Sequence, residues 1–240
     1  MSSVRDRLIE TYADFYGRIN DNIEPQALTL RDFQAMQLMY GELVKALPPN
    51  SKVLDLGCGT GFLLNWLSQQ PGIVPIGVDS SVSQVEIAIR NLPGIEIDCD
   101  EGLHYLRQHP NKFSGIFCTD VLEHIPGKDL CLEWVEAAVS ALQPGGFFYC
   151  RVPNAANLTG CYSRYMDFTH ERAFTSTSLL QLMEVGGLKN CRIVPIRSAH
   201  LIGNLRLIIE YLLHRSIFLI CGRGRERCFT YNVCAVGFKK

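Results

Sequence analysis

The chain of 240 residues lacks a charge excess. Lys and Arg number 23 against 24 Asp and Glu, for a formal net charge of -1. So even a balance gives no long-range field to draw in a polyanion, and composition argues against a nucleic-acid partner. No apolar run reaches the ~20 residues that a helix needs to span a bilayer. The opening MSSVRDRLIE is polar and charged, so no signal peptide is expected there. Ten cysteines are present, but none falls in CxxC spacing and no Cys/His metal pattern occurs. Several lie inside apolar runs, as in IFC (116–118) and FFYC (147–150), which predicts buried, reduced thiols in a cytoplasmic protein. Internal repeats and low-complexity segments are absent too. What remains, at 47% hydrophobic and 20% charged, is an ordinary globular composition on a chain long enough for a sizeable core.

From Ser2 to about Leu47 apolar residues recur at helical spacing, as in FQAMQLMYGELVKAL (33–47), until Pro48-Pro49-Asn50 ends the segment. Beyond it β-rich runs alternate with helical ones. Strands are expected at 52–57, 74–79, 95–99, 115–120, 147–152, 191–196 and 232–238. Helices are expected at GFLLNWLSQQ, SVSQVEIAIRNL, GLHYLRQH, DLCLEWVEAAVSAL and, after the fifth strand, LLQLMEVGG. Alternation at this spacing predicts an α/β fold, a mostly parallel sheet with helices on both faces.

The first strand runs into VLDLGCGTGFLL (53–64), with three glycines in five positions. Glycine weakens a regular element, so such a cluster marks a sharp turn or a close approach of something to the backbone. In a strand–turn–helix unit it does both, and the helix start adds unpaired N–H groups. A tight turn alone would explain the glycines. Asp79 shifts the balance: it closes the second strand about twenty residues on, where an acid can accept both hydroxyls of a ribose. Asp55, ahead of the glycines, would repel a pyrophosphate but suits an ammonium. A ligand with a ribose and an amino acid, such as S-adenosylmethionine, fits both acids.

VLDLGCGTG, GVDSS, IDCDEG, FCTDVLEHIP and LQPGGFFYCRVPN resemble, in order and spacing, the successive motifs of class I S-adenosylmethionine-dependent methyltransferases. The likeness is continuous over about Lys52–Val152 and resumes with SLLQLMEVGGL and the last strand. It implies a seven-stranded Rossmann-like sheet with an antiparallel last strand. It also implies a single domain: a helical cap (1–50), a donor-binding core (51–198), a helical insertion (199–230) and the last strand (231–240). Position by position, it implies that Asp55 and the backbone of Gly57, Gly59 and Gly61 hold the methionine end, with Cys58 among them. Asp79 takes the ribose hydroxyls with Ser80 beside it, Asp100 or Glu101 reads the adenine, and Thr119 and Asp120 lie against the methionine moiety.

The acceptor should sit at the carboxyl ends of the strands. After the fourth strand comes His124, either a general base or a structural histidine. After the fifth comes a long loop (153–175), of the kind that is usually functional. It carries Asn154, Tyr162, Arg164, Tyr165 and Arg172 as candidate acceptor-binding residues. Asp167 and His170 are candidates for catalysis, or else for loop architecture. The segment DFTHERAFT resembles a D-x-T-H segment of bacterial methyltransferases linked to sugars and surface polysaccharide. Asp120, Asn154 and Asp167 could offer oxygens to a metal, but nothing in the sequence enforces the geometry, and no metal is expected.

The last two strands are separated by about 35 residues. Within them LRLIIEYLLHRSIFLIC (205–221) is apolar apart from a stripe of Arg206, Glu210 and His214, with Ser216 and Arg215 beside it. The basic run Gly222–Arg227 follows. The segment reads either as a peripheral membrane contact through 205–227, at the inner membrane face, or as a lid or homodimer helix packed on protein. The expectation from sequence is therefore an S-adenosylmethionine-dependent methyltransferase acting on a glycan or lipid-linked sugar hydroxyl. A quinone-like, phenolic or polyketide-like acceptor is the alternative, and a non-catalytic donor-binding subunit is the reading from another class.

Overall fold

The computed structural model describes Leu8 and residues 28–240. The helical pattern read before residue 28 lies outside the described residues, Leu8 apart. Helix α1 (Leu30–Lys45) begins at a reciprocal cap: the Thr29 hydroxyl accepts from the Asp32 N–H at 3.2 Å, and the Asp32 carboxylate accepts from the Thr29 N–H at 3.0 Å. Then follow β1 (Ser51–Leu56), α2 (Phe62–Ser68), β2 (Ile73–Asp79), α3 (Val82–Asn91), β3 (Glu96–Cys99), α4 (Gly102–Gln108) and β4 (Phe113–Thr119). A 3-10 turn (Leu122–His124) leads to α5 (Lys128–Ala141) and β5 (Leu142–Pro153). After a loop holding the short α6 (Gly160–Tyr165) come α7 (Ser176–Val185), β6 (Lys189–Val194), α8 (Leu201–Ile220) and β7 (Asn232–Phe238).

The strands form one seven-stranded sheet in the order β3-β2-β1-β4-β5-β7-β6. All pairs are parallel except those of β7, which runs antiparallel to both β5 and β6. Successive strand residues point to opposite faces, so each face builds its own core. On one face Leu54, Leu56, Ile116 and Phe148 pack with α4, α5 and α7 through Leu106, Trp134 and Met183. On the other, Val53, Phe117 and Tyr149 pack with α1 and α2 through Tyr40, Val44, Leu64 and Trp66. Tyr40 stands edge-on to Trp66, Phe117 and Tyr149 with ring centres 5.1–5.7 Å apart. Burying each such ring contributes about 1.5–3 kcal/mol, which is what seats α1 on the sheet.

Strand order reverses at β1, between β2 and β4. That is the switch point at which open α/β sheets leave a crevice at the carboxyl ends of the strands. All ten cysteines are free thiols. Burial holds for Cys58, Cys118, Cys131, Cys150 and Cys234, but Cys99, Cys161 and Cys221 are exposed, so the expectation of buried thiols fails for these three.

Candidate active site

The glycine turn leaves β1 at the switch point. Gly57, Gly59 and Gly61 all hold positive φ, at 80°, 53° and 88°. At Gly57 a Cβ would stand 2.4 Å from the Val121 side chain, so both the conformation and the close approach of the neighbouring loop require glycine. Asp79, at the end of β2, accepts from the Gly59 N–H (2.9 Å) and from the Ser81 N–H (2.9 Å). Burial raises its pKa, opposed by these backbone donors.

Asp55 is buried within β1, and its Oδ1 has no hydrogen-bond partner. Burial first, and the charge of Asp79 second, push its carboxyl up to about 7. A buried orphan acceptor next to the turn fits a ligand ammonium. Asp100 takes His104 Nδ1 at 2.8 Å, and Glu101 caps α4 through the His104 N–H at 3.0 Å. Asp120 has φ 57° and is paired with Arg151, whose Nε lies 3.1 Å from Oδ1. Burial holds the Cys58 thiol well above its ordinary range, so it is no nucleophile.

The three catalytic candidates come together around a residue that the sequence reading passed over. The Thr169 hydroxyl lies 2.6 Å from Asp167 Oδ1 and 2.7 Å from His124 Nδ1. A hydroxyl that gives its proton to the carboxylate can only accept from the imidazole, which assigns the proton of a neutral His124 to Nδ1 and the basic lone pair to Nε2. Burial, and then the neighbouring His170, lower the His124 pKa to about 4, so it is neutral at pH 7. The His170 ring stands edge-on to His124 at 4.7 Å between centres, and its Nδ1 donates to the Ser163 carbonyl at 2.8 Å.

Glu123 was also passed over. It is buried, and its carboxyl is raised well above the usual range by burial and by Asp120. Its backbone carbonyl accepts the N–H of Glu171 at 2.7 Å, clamping the 167–172 loop onto the 3-10 turn. Nothing but its place beside His124 marked it in the sequence. Among the described residues, Glu123, His124 and His170 are the His/Cys/Asp/Glu group whose ligand atoms lie within 4.8 Å of one another.

A cavity of about 1060 Å³ opens over these elements. Gly57, Gly59, Asp79, Ser80, Asp100, Glu101 and Asp120 line it, together with Val121, His124, Ile125, Pro126, Phe168 and Thr169. Asp55, Cys58, Gly61, Thr119, Asp167 and His170 are not part of its wall. The acceptor candidates fare worse. Asn154 is 0% exposed and spends its amide on the carbonyls of Cys228 (2.9 Å) and Thr230 (2.8 Å) and its oxygen on the Ala156 N–H (2.9 Å). It can reach neither an acceptor nor a metal. Arg172 donates to the carbonyls of Ile125 (2.7 Å) and Gly127 (2.8 Å), strapping that loop down. Tyr162 and Tyr165 are exposed and, with Arg164, stand off the cavity wall; Arg164 lies over the Tyr165 ring.

A parallel sheet of this order, with β7 reversed and an acid-flanked glycine turn at its switch point, is the architecture of the class I methyltransferases. A family model described as "Methyltransferase domain" matches residues 31–193, and the chain belongs to that family. A solved S-adenosylmethionine-dependent methyltransferase from Archaeoglobus fulgidus superposes with a TM-score of 0.68 at 17% identity, covering 95% of this chain and 100% of that one. At that identity the likeness concerns the fold.

Curated relatives bear the name "Ubiquinone biosynthesis O-methyltransferase". That of Saccharophagus degradans is 26% identical over 129 residues, 52% of each chain. That of Azoarcus sp. is 31% identical over 99 residues, 40% of this chain and 41% of the relative. The chain thus spans about half the length, or less, of these two relatives. Family match and fold together make this a methyltransferase domain. Among the described residues no helix is long and apolar enough to cross a membrane.

Proposed function

We propose that the protein methylates a ring hydroxyl of an apolar, phenolic or quinone-like small molecule. The observation that carries this reading is His124, in the cavity wall with its Nδ1 tied to Thr169 and Asp167, beside Val121, Ile125, Pro126 and Phe168. A base among apolar side chains suits an aromatic hydroxyl better than a sugar ringed with hydroxyls. The names of the curated relatives support it. The glycan expectation rested on the D-x-T-H likeness. Here Asp167 and Thr169 orient His124, and His170 fastens to Ser163, so the segment has work that needs no sugar.

When bound, S-adenosylmethionine would supply a methyl group on its sulfonium sulfur, whose carbon is open to in-line attack by a hydroxyl oxygen with S-adenosylhomocysteine as the leaving group. In this reading the backbone of Gly57 and Gly59 lies along its methionine end, and Asp55, next to that turn but outside the cavity wall, offers its unpartnered Oδ1 to the ammonium. Asp79, with Ser80 beside it, accepts the ribose hydroxyls, and Asp100 or Glu101 reads the adenine. Asp120, held by Arg151, borders the methionine moiety. His124 Nε2 takes the acceptor's proton as the oxygen attacks, and Asp167 positions it through Thr169. Most of the remaining rate comes from alignment of the two substrates.

The test is S-adenosylhomocysteine formation with a prenylated catechol and, in parallel, with an oligosaccharide. Turnover is expected with the catechol. Turnover with the oligosaccharide alone would return the function to glycan methylation.

A further inference from the structure

Helix α8 is seated the wrong way round for a helix on a soluble domain. Its polar residues face the protein: Glu210 Oε1 accepts from Asn157 Nδ2 at 2.8 Å, and His214 Nε2 accepts from the Leu158 N–H at 2.9 Å. His214 is 4% exposed and stacks on Phe229. Its aliphatic residues face out: Leu201, Ile202, Leu205, Ile209, Leu213 and Ile220 are 55–86% exposed. At 3.6 residues per turn they fall within one arc of the helix, with Arg206 at its edge. Among the described residues this apolar face is left uncovered. The expected stripe also splits, because Arg206 points outward while Glu210 and His214 point in. An apolar strip along a 20-residue helix marks an interaction surface.

Charge identifies the occupant. Arg206, Arg223, Arg225 and Arg227 are exposed, and among the described residues none forms an ion pair. The two acids of the segment are turned away: Glu210 is held by Asn157, and Glu226 by the Ser176 hydroxyl at 2.9 Å and by the backbone N–H of Cys228 at 2.8 Å. A second copy meeting this face about a twofold axis would bring arginines to arginines, with no acid of α8 or its turn between them. An anionic bilayer offers both an apolar layer for the leucines and isoleucines and phosphates for the arginines.

We propose that α8 and the arginine turn after it dock in the plane of an anionic lipid bilayer. The inference stands apart from the nature of the acceptor. It has a bearing on the site nonetheless: the bonds of Glu210 and His214 go to Asn157 and Leu158, in the loop that carries Thr169, so a docked helix grips the loop beside His124.

Co-sedimentation with vesicles tests it. The protein is expected to pellet with vesicles containing phosphatidylglycerol at low salt, to be released at high salt, and to ignore vesicles of phosphatidylcholine alone. Replacing Arg206, Arg223 and Arg225 together by serine should lower partitioning about a hundredfold. Leu205→Glu should lower it as well. Titration with S-adenosylmethionine, unchanged in both variants, shows that they remain folded. Three results would overturn the proposal: a donor-binding parent protein that ignores the anionic vesicles, binding indifferent to lipid charge, or a dimer in ultracentrifugation that Leu205→Glu dissolves.

Discussion

Asp79 Oδ2 accepts the Gly59 N–H at 2.9 Å, so the end of β2 holds the glycine turn of β1 in the shape that the cofactor meets. Asp79→Ala removes this anchor and, in the proposed reading, the acceptor of the ribose hydroxyls. A charge-assisted hydrogen bond of this kind contributes roughly 1.5–3 kcal/mol, so affinity for S-adenosylmethionine should fall about tenfold to a hundredfold. Calorimetry measures it, and an unchanged affinity would put the ribose elsewhere.

Gly57→Ala should weaken both the fold and the donor site. The new methyl meets Val121 at 2.4 Å, on a residue with φ 80°. Strain of about 1–3 kcal/mol is expected in thermal unfolding. Val121→Ala in the same chain should recover only part of it, because the backbone conformation remains unfavourable.

His124→Ala should cut turnover by about 10²–10⁴ while leaving affinity for S-adenosylmethionine near the parent value. Thr169→Val should cost less in rate but change the pH profile, because the imidazole loses the partner that fixes its tautomer. If Thr169→Val leaves both rate and profile as they were, the contact with Asp167 is loop architecture only.

Asp55 titrates near 7 when folded, against 3.8 when free. Between those values the folded carboxyl holds a proton that the unfolded one has lost. Its contribution to stability is therefore complete below pH 3.8 and is lost as pH rises through about 7. His124, lowered to about 4, acts in the opposite sense: its contribution is present above pH 6.5 and is lost as pH falls through 4. The difference between parent and Asp55→Asn in thermal unfolding, from pH 4 to 8, isolates the first. If the cofactor places its ammonium near Asp55, as proposed, its binding should release a proton at a pH just below 7. Calorimetry in buffers of different ionisation enthalpy would detect it, and no proton release would place the ammonium away from Asp55.

His214→Ala should destabilise by about 1–3 kcal/mol, because the Leu158 N–H is left without its acceptor beneath α8. Chemical denaturation measures this. A loss of rate with intact cofactor affinity would indicate that α8 braces the acceptor loop.

Sheet, helices and the glycine turn were legible in the sequence because their causes are local. Alternating and helical apolar periods select the elements, and Gly57, Gly59 and Gly61 adopt conformations that other residues resist. Two acids, Asp55 within β1 and Asp79 at the end of β2, are placed by the strands themselves. The acceptor side was not legible, because its contacts join distant segments. Thr169 meets His124 across 45 residues, and Asn154 is consumed by carbonyls more than 70 residues away. Composition alone made α8 a helix with an apolar face, but it could not say which way that face would point. Only the tertiary structure decided it: hydrogen bonds from Asn157 to Glu210 and from Leu158 to His214 turned the polar stripe inward and left the leucines and isoleucines outside.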